Sequence, residues 1–217
     1  MKTLAKSDVN ATRTRGLRIL LSSKEMAKSC IMYRLGEENL KNGDLLSSGV
    51  NFYYSLFHAC ISVMSLKSTR INTGDFVVEK TDQLPQKYTP LTHNDAEKII
   101  SQYDKKLGHE LRELRRLREY LSYGPNVLYE WKTRITEVIA YNCKFPGWKN
   151  DIKRAKLELP RLITNCCKLV KSTLNETDFY YFMHFFHRMI DLTCEDLNLD
   201  QIFIGKCESM LGSSSKR

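Results

Sequence analysis

Apolar residues recur along most of this chain at helical spacing, and no stretch shows the strict alternation of a half-buried strand. Between Arg15 and Leu35, the positions of Leu17, Leu20, Leu21, Ala27, Cys30 and Ile31 predict a first helix. Gly36 and the Asn42-Gly43 pair predict its end. Asp44 is placed to cap a second helix reaching about Leu66. Within it Leu46, Val50, Tyr53, Phe57, Ile61 and Met64 follow at steps of 4, 3, 4, 4 and 3, one face of an amphipathic helix.

Residues 67–92 break this pattern. Gly74, Pro85, Pro90 and many polar residues predict a long exposed loop. Phe76-Val77-Val78 has strand composition, but no pairing partner is evident nearby. A third helical region starts near Thr92 to Asn94 and runs to about Tyr123, with Gly108 as a point of division and Gly124-Pro125-Asn126 as its end. Further helices are predicted over about Leu128–Cys143 and Asp151–Leu174. Pro160 implies a kink or break in the second of these. Thr177 to Leu211 reads as an aromatic helix followed by a short one, and Gly212 to Ser215 as a mobile tail. No internal repeat and no heptad run is evident. Six or seven helices joined by short turns make the fold class all-α, a helical bundle.

Composition narrows this only a little. The chain has 217 residues, 42% of them hydrophobic, enough for one continuous core. No segment approaches the roughly 18 uninterrupted apolar residues of a membrane span. Met1 to Ser23 lacks a compact apolar stretch with a cleavage site, so the expected compartment is the cytoplasm. The seven cysteines include no CxxC pair and mostly fall in helical stretches, which favours buried free thiols over disulfides or zinc. The net charge of +9 fits nucleic acid or an acidic protein as a partner, and fits plain solubility equally well.

One residue conflicts with the hydrophobic pattern. Leu107, Leu111, Leu114 and Leu121 share a helix face, and Arg118 falls in the middle of that stripe. A cation there is a strut inside the fold, a group lining a cleft, or a long stem that snorkels to the surface.

Two segments together resemble a known family. Gly49-Val50-Asn51-Phe52-Tyr53-Tyr54-Ser55-Leu56-Phe57-His58-Ala59 resembles the paired-tyrosine helix of HEPN domains, and Arg118-Glu119-Tyr120-Leu121-Ser122-Tyr123-Gly124 resembles their R-x-x-x-D-Y-G element. The resemblance covers about residues 40–174. It implies a HEPN-like bundle flanked by a basic N-terminal segment and helix (1–39) and an appended C-terminal helical segment (175–217). Many HEPN proteins dimerise, and many are ribonucleases of toxin–antitoxin, antiviral and CRISPR-linked systems. The active ones carry an arginine followed, four to six residues later, by a histidine, the arginine stabilising phosphate charge and the histidine moving a proton. Here no histidine follows Arg115, Arg116 or Arg118 in that window, His109 precedes them, and Ser122 replaces the frequent aspartate. The resemblance therefore points to the non-catalytic branch, whose members bind or regulate. In the family the position of His58 is structural.

Three functional expectations follow. The first is a non-catalytic HEPN-like subunit or regulator of a prokaryotic defence or toxin–antitoxin assembly, working through a protein partner or homodimer, with nucleic acid as a second ligand. The second is a ribonuclease with an altered site, where Arg118, Ser122 and Tyr123 line the cleft. The third is a structural adaptor in a DNA-associated ATPase complex. Arg112, Arg115, Arg116, Lys149, Lys153 and Arg154 are the nucleic-acid candidates, beside Lys156 and Arg161 in the same basic stretch. Phe179, Phe182 and Phe186 belong to an aromatic helix that either completes the core or docks a partner, with base stacking a third option. His184, His187 and Cys194 do not make a four-ligand metal pattern. No cofactor is expected: there is no glycine-rich phosphate loop and no GxSxG elbow.

Overall fold

The structure, a computed structural model, describes residues 6–67, 70–72, 77–79, 93–130, 147–197, 199 and 201–211. Its order is α1 (Lys6–Lys41), α2 (Leu45–Lys67), β1 (Arg70–Asn72), β2 (Val77–Glu79), α3 (His93–Tyr103), α4 (Lys105–Glu130), α5 (Trp148–Lys171), α6 (Glu176–Asp196) and α7 (Gln201–Ser209). The bundle is all-α apart from one short hairpin. No described helix is long and apolar enough to cross a membrane.

α1 and α2 form an antiparallel pair, turned at Asn42-Gly43, where Gly43 takes φ +82°. The Asp44 carboxylate accepts the Ser47 N–H at 3.0 Å, the predicted cap of α2. The seam between the two helices is built of small residues seven apart. Ser48, Ser55 and Ser62 on α2 face Gly36, Ser29 and Ser22 on α1. Ser48 Oγ donates to the Gly36 carbonyl at 2.9 Å and Ser55 Oγ to the Ser29 carbonyl at 2.9 Å. Ser22 and Ser62 bond reciprocally to each other's carbonyls at 2.9 and 2.7 Å. Small side chains let the backbones approach, and the buried hydroxyls of Ser22, Ser48, Ser55 and Ser62 each find a carbonyl on the facing helix. This heptad seam escapes a search for apolar heptads because its repeating residues are polar.

α2 is the central helix. It packs against α1, α3, α4 and α5, while α6 and α7 lie against α1. One hydrophobic core runs from Ile19 to Cys207 and draws on every described helix. The segments expected at 1–39, 40–174 and 175–217 therefore share a single core.

Several boundaries differ from expectation, each for a physical reason. α1 continues through Gly36, because that glycine makes room for α2: an added Cβ would lie 2.6 Å from the Phe52 ring. The third region divides at Asp104, whose carboxylate accepts the Lys106 and Leu107 N–H groups at 2.9 and 3.1 Å and so caps α4. Gly108 instead lies inside α4, pressed against Ser101 of α3. α4 passes through Gly124-Pro125-Asn126 to Glu130. Pro160 stays inside α5, which buries Leu159, Leu162 and Ile163; this packing offsets the proline's cost of about 3 kcal/mol. Val77–Glu79 does pair, with Arg70–Asn72 as the partner strand, so a hairpin stands where an unpaired loop was expected. Leu46 opens α2 but is 52% exposed, off the face its spacing suggested. Most of the predicted helix at 128–143, the rest of the 67–92 loop and the tail from Gly212 lie outside the described residues.

Candidate functional site

The two motif segments meet. Arg118 of α4 is buried, and its guanidinium lies 5.3 Å from the Tyr53 ring and 5.9 Å from the Tyr54 ring of α2. Of the three roles open to Arg118, this is the strut. A desolvated cation over aromatic faces gains up to about 2 kcal/mol per good contact, which helps to offset its removal from water.

α3 contributes a residue that sequence reasoning missed. His93, at its first turn, brings Nδ1 to 2.5 Å from the Tyr53 hydroxyl and sets its ring, tilted by 54°, 4.8 Å from that of Phe57. Burial holds the Tyr53 hydroxyl well above its ordinary pKa, against the opposing pull of Arg118. The hydroxyl therefore keeps its proton and shares a hydrogen bond with Nδ1. Burial also lowers the His93 pKa, and the charges of Arg118 and Arg115 push it the same way. His93 is then neutral at physiological pH. No Arg-then-His window finds this pair, since the histidine precedes the arginine and arrives on another helix. The only sequence sign at this position was the polar start of α3.

Around this core, α4 and α3 exchange charges. Glu97, itself buried, takes Arg115 at 3.0 Å and Arg112 at 3.5 Å. Arg115 also bonds Glu119 at 2.7 Å and touches Asn94. Arg116 pairs with Glu113 at 2.6 Å. Arg112, Arg115 and Arg116, expected as nucleic-acid contacts, thus carry carboxylate partners, which blunts their attraction for phosphate. Ser122 is exposed on α4. The backbone of Tyr123 continues the helix, but its side chain lies outside the described residues. The structure unites Arg118 with the rings of Tyr53 and Tyr54, and Tyr53 with His93.

On the other flank of α2, His58 Nδ1 bonds Glu25 Oε2 at 2.6 Å, with Lys28 on Oε1 at 3.0 Å. Burial alone would raise the Glu25 carboxyl, but the hydrogen bond and charge of His58, aided by Lys28, hold it below its ordinary value. His58 ties α1 to α2, the structural role expected.

The aromatic helix needs a correction. Phe182 and Phe186, candidates for a partner interface, are fully buried inside this chain, and Phe179 stacks half-buried on Phe182 at 5.7 Å. They point to α1 because they share one helical face with Ile190 and Cys194. Tyr180 and Tyr181 are the exposed aromatics, at 68% and 49%. His187 bonds Glu208 of α7 at 2.8 Å, while His184 is exposed. Among the described residues no three His, Cys, Asp or Glu side chains are arranged to hold a metal. Six cysteines are buried free thiols, as expected, and Cys143 lies outside the described residues. Lys149 covers the Trp148 ring at 5.6 Å, Lys153 is exposed, and Arg154 reaches Asp151 at 3.7 Å.

Comparison with protein-family models, with curated proteins and with solved structures finds no match. The family likeness rests on the two sequence motifs alone.

Proposed function

We propose that this protein is a non-catalytic, HEPN-like subunit or regulator that works by holding a protein partner, within the defence or toxin–antitoxin setting that the resemblance implies. The carrying observation is the burial of Arg118 on Tyr53 and Tyr54. The arginine that a nuclease would present to phosphate is committed to packing. The adaptor reading loses its docking residues, because Phe182 and Phe186 belong to the core.

A second reading, a ribonuclease with a non-standard site, is favoured by one contact. His93 brings from α3 an imidazole to Tyr53, the ring that Arg118 overlies. For cleavage, Arg118 would have to leave the tyrosine rings to reach substrate.

A tagged pull-down from the native host, with protein and RNA both identified, separates the two. The proposal expects a stoichiometric protein partner and intact RNA. RNA that is cut by the wild type, and spared by folded Arg118→Ala and His93→Ala variants, would overturn it in favour of the nuclease.

A further inference from the structure

α5 separates its charges. Its acidic residues Asp151 and Glu158 line a groove against α4, together with Glu110, Glu113 and Arg154. Away from that groove, Lys149, Lys153, Leu157, Arg161, Lys168 and Lys171 follow at steps of 4, 4, 4, 7 and 3, which is one helix face. All six are exposed, Leu157 at 79%. Among the described residues no carboxylate forms an ion pair with Lys153, Arg161 or Lys168, in contrast to the arginines of α4. Lys149 and Lys171 each rest on an aromatic ring and remain exposed. Arg154, first grouped with this stretch, faces the acidic groove and does not belong to the stripe.

The stripe spans about 33 Å at 1.5 Å per residue, close to the roughly 34–36 Å of one duplex turn. Its five cations are spread along the whole helix and are not gathered at one end. A linear array of this kind matches the regular charge of a phosphodiester backbone. A membrane surface would call for a row of apolar residues to insert, and Leu157 is the only one on the stripe. Single strands are held by aromatic platforms, and the stripe carries no aromatic side chain.

We infer that the outer face of α5 binds the phosphodiester backbone of duplex nucleic acid, without reading its sequence. This inference does not depend on the HEPN-like reading.

The test is fluorescence anisotropy of the full chain with a labelled mixed-sequence duplex of about 20 base pairs, roughly two turns, and with one of its strands alone. With five contacts, affinity for the duplex should fall about 10²–10³-fold between 50 and 200 mM salt. The triple variant Lys153→Glu, Arg161→Glu, Lys168→Glu should weaken binding at least tenfold and flatten the salt slope by about three. Its circular dichroism should match the wild type, since these side chains are exposed. Arg112→Glu with Arg116→Glu should leave affinity within about threefold, because carboxylates already occupy those arginines. Absence of duplex binding at low salt overturns the inference. So does a folded triple variant that binds as well as wild type, a preference for the single strand, or equal competition by poly-glutamate. If the triple variant fails to fold, Lys153→Ala and Lys168→Ala singly should each reduce the slope by about one, and unchanged slopes overturn the inference.

Discussion

Replacing Gly36 by alanine sets two forces against each other. In the interior of a helix, alanine is favoured over glycine by about 1 kcal/mol. In α1, however, the new Cβ would lie 2.6 and 2.7 Å from two carbons of the Phe52 ring. Ordinary carbon contacts sit at about 3.5–4.0 Å, so roughly 1 Å of clearance is missing. The ring cannot swing away: Phe52 is fully buried and packs against Tyr33 at 5.7 Å. The alternative is to part α1 from α2, which strains the Ser48–Gly36 hydrogen bond and the serine seam beyond it. Overpacking of this kind costs about 1–3 kcal/mol, and the size of the overlap points to the upper end. The net expectation for Gly36→Ala is a loss of about 2 kcal/mol, or a melting temperature lower by roughly 4–8 °C for a chain of this size. Gly16 is the internal control, in the same helix with nothing within 4 Å of its would-be Cβ. Gly16→Ala should gain up to about 1 kcal/mol and raise the melting temperature by roughly 2–4 °C. Thermal and urea denaturation of the two variants decide the matter. If Gly36→Ala proves as stable as Gly16→Ala, the close approach of α1 and α2 is wrong.

Other outcomes follow from the same packing. Phe182→Ala, at a fully buried site, should cost about 3–5 kcal/mol in urea titrations, whereas Tyr180→Ala should stay within about 0.5 kcal/mol. Equal effects would return Phe182 to the surface. Because the folded Glu25 carboxyl lies below its ordinary value, its contribution is complete above the unfolded pKa near 4.5 and fades as pH falls through the folded one. Glu25→Gln should therefore lower stability at neutral pH and flatten the acid limb below about pH 4.5; an unchanged limb contradicts the pairing with His58. Burial pushes the Cys207 thiol up to about 12 and Cys167 up to about 11. In native protein a thiol-specific reagent should thus find at most Cys143 quickly, with the six buried cysteines following only after denaturation. Fast labelling of two or more would show that the bundle opens readily.

The breakpoints that the sequence suggests show where local reading stops. Gly36 and Pro160 carry helix-weakening chemistry, yet α1 and α5 run through them, because burial against α2 outweighs a local preference of about 1 to 3 kcal/mol. Asp104 passed unnoticed, although a carboxylate that takes two first-turn N–H groups is a strong stop. The hairpin was hidden because Arg70–Asn72 has no strand-like composition of its own; its pairing with Val77–Glu79 defines it.

What the sequence determined by itself is what neighbouring residues decide together. The 3.6-residue spacing of apolar positions specified helices and an all-α class, Asp44 specified the start of α2, and the stripe around Arg118 specified a cation that must be housed in apolar surroundings. The tertiary structure decided which faces meet. It set Arg118 on the tyrosine pair, carried His93 to Tyr53 from another helix, and turned Phe182 inward while leaving Tyr180 outside. It also left Lys153, Arg161 and Lys168 of α5 in solvent while carboxylates occupied Arg112, Arg115 and Arg116 of α4. Periodicity along a chain fixes a face, but the partner of that face depends on the register and crossing of packed helices, and those are properties of the whole core.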